Sequence, residues 1–128
     1  MSTYRIAKKY TFHAGHHLPD LPEGHKCRNP HGHTFTAEVI VGSDVLVPPG
    51  FVTDFGDLSP FGAYIEAELD HRDLNQVLDF PPTSEAVAEH LAHWFLNNLQ
   101  PSVAGHLLAV RVCETPTSWA EYTVTTQP

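Results

Sequence analysis

The sequence predicts an α+β domain of ββααββ order, one antiparallel four-stranded sheet with two helices on one face. Three observations carry this. Alternating apolar residues mark extended segments near both ends of the chain. An apolar stripe at helical spacing runs through its centre. Clusters of Pro, Gly and small polar residues separate the two kinds of segment. The length of 128 residues fits a single domain over residues 1–128, and no repeat, linker or low-complexity tract divides it.

The first strand is expected from Tyr4 to about His13, with Tyr4, Ile6, Tyr10 and Phe12 on even positions. Leu18 to Pro30, broken by Pro19, Pro22 and Gly24, reads as loop. From His33 to about Val45 a second strand alternates Phe35, Ala37, Val39 and Val41 with Thr36, Glu38 and Ile40. Pro48-Pro49-Gly50 is a turn, and Phe51 to Asp54 a short extended piece. Ser59 as cap and Pro60 at the first helical position would open a helix reaching about Asp70. Thr83 is the expected cap of the next helix, with Glu85 suiting its dipole. Val87, Leu91, Trp94, Phe95 and Leu99 then form one apolar stripe, read as core. Leu107 to Glu114 and Trp119 to Thr125 read as the last two strands. Such a sheet has two unprotected edges, which are ordinarily hidden or paired. Edge pairing between identical subunits into a closed barrel is one solution, so an oligomer is expected.

Composition excludes several function classes. Seven Lys and Arg against fifteen Asp and Glu give a formal charge of −8. That argues against nucleic acid or an anionic membrane surface as partner. No apolar run approaches the ~20 residues of a membrane helix. The first residues lack the apolar core of a signal peptide, so the cytosol is the expected compartment. Two cysteines are too few for a disulfide scaffold. Histidine is the anomaly: of ten, six lie between His13 and His33.

His31-Gly32-His33 sits where loop becomes strand. Residues at i and i+2 of an extended chain point the same way, so two imidazoles can share one ion. His13, His16, His17 and His25 are candidates for a third ligand, with Glu23 in the loop less suited. Three imidazoles with an open fourth position make a catalytic zinc site. Cys27 lies four residues before His31, flanked by Lys26 and Arg28. Cations and a metal favour a thiolate, which could be base, nucleophile or fourth ligand. Cys113, within a strand, reads as a packed small residue. Asp70-His71 ends the first helix, where an Asp can hold an imidazole in one tautomer. Glu114 shares the face of Val110 and Val112, and a carboxylate there needs a partner. A planar donor array, such as the amino-pyrimidinone edge of a heterocycle, would fit it.

Five segments in order resemble one family across nearly the whole chain. They are Phe12-His13-Ala14-Gly15-His16-His17-Leu18, Cys27-Arg28-Asn29-Pro30-His31-Gly32-His33, Leu69-Asp70-His71-Arg72-Asp73-Leu74-Asn75, Pro82-Thr83-Ser84-Glu85, and Glu114-Thr115 with Tyr122. The set resembles the pterin synthases, which include 6-pyruvoyltetrahydropterin synthases and the 6-carboxy-tetrahydropterin synthases of the queuosine pathway. The short Cys-x3-His-Gly-His spacing and the Pro22–Cys27 lead-in resemble the carboxy branch. His13 departs from the small or acidic residue frequent in relatives, and His17 from their Arg.

The resemblance implies the tunnelling fold, with trimers closing their sheets into a barrel and stacking as a hexamer. It implies Zn2+ on His16, His31 and His33. It implies proton transfer by Cys27, with Asp70 and His71 completing the catalytic set across a subunit interface. It implies pterin anchoring by Glu114, with Thr83 nearby. The implied reaction is zinc-dependent conversion of 7,8-dihydroneopterin triphosphate to 6-carboxy-tetrahydropterin, releasing acetaldehyde and triphosphate. Lys26, Arg28 or His25 could meet the phosphates. The sister reaction stopping at the pyruvoyl product is the first alternative, and a non-catalytic zinc module the second.

Overall fold

The protein is described by a computed structural model covering residues 2–125. Two strands of thirteen residues, β1 (Tyr4–His16) and β2 (His31–Ser43), form its spine. They pair antiparallel from Tyr4 opposite Ser43 to His16 opposite His31. A tight turn at Phe55–Leu58 then leads into α1 (Ser59–Glu68), followed by β3 (Arg72–Asp73), α2 (Leu74–Val77) and α3 (Ser84–Asn98). The chain closes with the hairpin β4 (His106–Thr115) and β5 (Ser118–Thr123).

The α+β class is as expected, but β3 and α2 interrupt the expected ββααββ order, and the sheet has five strands rather than four, in the order β3-β1-β2-β4-β5. The extra strand is two residues long and pairs parallel to β1, Arg72 with Ala14 and Asp73 with Gly15. It covers the outer edge of β1 at those two residues, and β5 forms the opposite edge of the sheet. β1 runs three residues beyond the expected end at His13 because β2 also begins earlier, at His31. The piece from Phe51 to Asp54 makes a single bridge, Val47 with Phe51. β5 ends at Thr123, short of the expected Thr125.

Side-chain alternation decides which face the helices cover. Phe12 and Ala14 of β1, and Phe35, Ala37, Val39 and Val41 of β2, are buried beneath them. Phe12 lies directly opposite Phe35, and their rings stack at 5.0 Å. From above, α1 contributes Phe61 and Ile65, and α3 contributes Val87, Ala88, Leu91, Ala92 and Phe95. Full burial of each such Phe or Leu contributes about 1.5–3 kcal/mol. Trp94 is half-buried and stacks on Tyr64 at 4.5 Å. Gly62 lets α1 approach the sheet closely, since a Cβ there would meet the Tyr10 ring at 2.6 Å.

Helix ends follow capping chemistry with one correction. The Thr83 side chain accepts the N–H of Ala86 at 3.1 Å, so it caps α3 as expected. Ser59 does not cap α1; it is the first helical residue, and the turn before it is capped by Asp54. α1 stops at Glu68, before Asp70, because the next residues are claimed by β1. The N–H of His71 donates to the carbonyl of His13 at 2.6 Å. His71 adopts φ of 60°, a left-handed conformation costly for a residue with a Cβ.

Candidate metal centre and active site

The three motif histidines converge because of strand register. His16 stands opposite His31, and His33 stands opposite the small Ala14. His31 and His33 share one face of β2, so all three imidazoles meet at the end of the buried face. Ring centroids are 4.6 Å apart for His16 and His31, 5.1 Å for His16 and His33, and 4.8 Å for His31 and His33. Their ligand atoms lie within 4.8 Å of one another, and among the described residues no other such group forms. Phe35 floors the cluster, edge-on to His16 and His33.

The hydrogen bonds of the cluster decide its tautomers. His16 Nδ1 lies 2.8 Å from the Pro82 carbonyl, and His31 Nδ1 lies 2.8 Å from the Asn29 carbonyl. A carbonyl only accepts, so each Nδ1 must carry the proton and donate. That leaves the Nε2 lone pairs free. All three Nε2 atoms, on His16, His31 and His33, are buried without a hydrogen-bond partner. Three unpartnered Nε2 atoms facing one another, two of them fixed as acceptors, are costly without a cation and suited to one. Burial pushes the His33 imidazole down toward its neutral form, while Glu114, 3.7 Å away, opposes this. Neutral imidazole is the ligating form.

The competing histidines point elsewhere. His13 hydrogen-bonds Thr34 through Nδ1 at 3.1 Å and is exposed. His25 caps the tight turn Lys26–Arg28, its Nδ1 accepting the Cys27 N–H at 3.1 Å. The His17 backbone is held by the Asn75 side chain through two bonds, of 2.8 and 2.9 Å.

Cys27 is half-buried on that turn, its carbonyl accepting the Leu18 N–H at 2.8 Å. Its sulfur is not part of the converging group. Asp70 and His71 do cooperate, with Asp70 Oδ2 3.0 Å from His71 Nδ1. The other carboxylate oxygen accepts the His13 N–H at 2.8 Å. That bond, with the His71 contact, holds the Asp70 carboxyl below the usual carboxylate range. An open cleft of about 620 Å³ is lined by His16, His31 and His71, so the imidazole of the pair and two of the clustered histidines share one space within a single chain.

Glu114 reaches the same cluster from the end of β4, at His33. Thr83 is not brought to the cleft; it lines a separate cavity of about 490 Å³ with Phe80, His90 and His93. Its neighbour Pro82 is the residue that touches the histidine cluster, through a backbone carbonyl. Asn75 and the carbonyls of Pro82 and Asn29 were not anticipated as parts of the site. Asn75 lies in a motif that the sequence singled out, whereas a carbonyl leaves no trace in residue type.

Comparison with known proteins agrees with this architecture. The family model for 6-pyruvoyl tetrahydropterin synthase matches residues 5–125. A 6-carboxy-5,6,7,8-tetrahydropterin synthase of Synechocystis sp. is 40% identical over 91% of this chain and 91% of its own length. A dihydroneopterin monophosphate aldolase of Pyrococcus furiosus is 34% identical over 64% of this chain and 66% of its own. The Caenorhabditis elegans 6-pyruvoyl tetrahydropterin synthase structure superposes with a TM-score of 0.81 at 26% identity, covering 95% of this chain and 96% of that one. A match over almost every described residue settles the family: the chain belongs to the 6-pyruvoyl tetrahydropterin synthase family.

Proposed function

We propose that this protein is a zinc-dependent 6-carboxy-5,6,7,8-tetrahydropterin synthase. It would convert 7,8-dihydroneopterin triphosphate and water to the carboxy pterin, acetaldehyde and triphosphate. The observation that carries the reading is the set of three unpartnered Nε2 atoms, with His71 of the Asp70–His71 pair lining the same cleft as His16 and His31. The carboxy branch is favoured by the 40% identical relative and by the short Cys27–His31 spacing.

His16, His31 and His33 would hold the metal through Nε2. Zinc supplies Lewis acidity toward a side-chain hydroxyl and acidifies the neighbouring C–H. Cys27, as thiolate, takes the proton from that carbon. His71 carries protons to and from the side chain, its ring oriented by Asp70 at 3.0 Å. Glu114 anchors the amino-pyrimidinone edge, accepting two N–H donors in a plane. Lys26 and Arg28, on the exposed turn beside Cys27, are the cations that this turn would offer to the triphosphate.

The uncovered edges of β1 and β5 support assembly into trimers that close a barrel, two of which stack as a hexamer. Sedimentation measures this directly. Mixing Cys27→Ala chains with His71→Ala chains tests whether the pair acts across an interface, since only then do mixed assemblies regain intact sites.

Anaerobic incubation with the triphosphate, followed by mass spectrometry of every product, tests the reaction. Acetaldehyde with the carboxy pterin supports it. A pyruvoyl pterin with its side chain intact would assign the sister reaction instead. The aldolase relative makes dihydroneopterin monophosphate the necessary second substrate, run in parallel. No product at full zinc occupancy would leave a binding module.

A further inference from the structure

We propose that Asn75 is a positioning residue that places the metal ligand His16 and the thiol of Cys27 together, by pairing its side-chain amide with the peptide of His17. This inference rests on the reading of the cleft as a pterin synthase site. β3 pairs with β1 for two residues, up to Asp73 beside Gly15. The chain then turns into α2 at Leu74, whose side chain is fully buried, so the main chain cannot extend the ladder. The carboxamide of Asn75 takes over. Its Oδ1 accepts the His17 N–H at 2.8 Å, and its Nδ2 donates to the His17 carbonyl at 2.9 Å. A primary amide presents the same donor and acceptor as a peptide, so the side chain adds one more rung. Asp73 steadies it, accepting the Asn75 N–H at 3.0 Å.

The clamped peptide lies between the two groups that the chemistry needs. On one side is His16, whose ring is turned by the Pro82 carbonyl. On the other is Leu18, whose N–H holds the Cys27 carbonyl at 2.8 Å. His25 holds the Cys27 N–H from the opposite side. Releasing His17 therefore loosens a ligand and the thiol-bearing turn in one step. Asparagine is required by this role. Alanine removes both bonds, and aspartate places an acceptor against the His17 carbonyl.

The test uses full-length Asn75→Ala and Asn75→Asp chains in a Cys113→Ser background, so that Cys27 is the single thiol. Two readouts need no substrate: zinc affinity by chelator competition, and the rate of iodoacetamide alkylation of Cys27 in metal-free protein. Both variants should bind zinc about 10- to 100-fold more weakly, as loss of an outer-shell partner does. Both should be alkylated several-fold faster, while circular dichroism shows the folded chain. Unchanged affinity and alkylation would overturn the proposal. So would losses that merely track the unfolded fraction. Should the unsubstituted protein bind zinc and show both changes yet fail to turn over substrate, the reading of the reaction fails and the positioning role stands; should it bind no zinc, the role toward His16 falls with that reading.

Discussion

Replacing His33 with leucine separates a metal ligand from a packed core histidine, because the two roles give opposite signs. The His33 side chain makes no hydrogen bond among the described residues, and its Nε2 is buried and orphaned. A buried polar atom without a partner costs about 1–3 kcal/mol, and leucine removes that cost. The low end applies, since the side chain is still 20% exposed. Without metal, His33→Leu should therefore be as stable as the parent or about 1 kcal/mol more stable. A metal ion reverses the order. Zinc at a hundredfold excess over its dissociation constant adds about 2.7 kcal/mol to a protein that binds it only when folded.

The entropy of unfolding for 128 residues is roughly 0.27 kcal/mol per degree, so the zinc increment is about 10 °C and the leucine gain about 4 °C. Thermal unfolding near pH 7.5, with zinc or with excess chelator, reads both numbers. The melting curves of the two proteins should cross: the parent higher with zinc, the variant equal or higher without. A His33→Leu loss of equal size in both conditions would refute the reasoning and leave His33 as ordinary packing. Identical melting of the parent with and without zinc would refute it more broadly.

Cys27→Ala should keep the zinc and lose turnover, as elemental analysis and product assay would report; loss of metal would make Cys27 a ligand instead. Asp70 carries a pH signature. Its carboxyl is held below the usual range by the His13 N–H, so its contribution is present above the ordinary carboxylate pKa. That contribution is lost as pH falls through the depressed value. The melting-temperature gap between the parent and Asp70→Asn should then narrow in acid; a gap that widens would contradict the bond. His90 is half-buried and pushed down chiefly by that burial, and its Nε2 is hydrogen-bonded to the Tyr64 hydroxyl at 2.7 Å. Its contribution is present above the ordinary histidine pKa and lost as pH falls through the lower folded value, so His90→Gln should flatten the decline of stability below about pH 6.5. Gly62→Ala drives a Cβ to 2.6 Å from the Tyr10 ring and should cost about 1–3 kcal/mol in denaturant unfolding.

What could be read from residues alone divides along a physical line. The i, i+2 spacing of His31 and His33 predicted that they point the same way, and the structure keeps their rings together, His33 edge-on to Phe35. The α3 stripe and its Thr83 cap were equally legible, because both are local. His16 was not separable from His13 or His17 by any local signal. Ala14-Gly15-His16-His17 has weak strand propensity, and its extended conformation is imposed by β2, which lies opposite down to His31. β3 and α2, of two and four residues, are likewise too short to stand on propensity and exist because β1 and the core hold them. The same holds at finer scale for the metal centre. Residue type specifies three imidazoles, but which nitrogen of each is free depends on carbonyls of Pro82 and Asn29. Every residue carries a carbonyl, so their part in the site comes from register and loop path, and the ligating tautomer of His16 and His31 is a property of the fold.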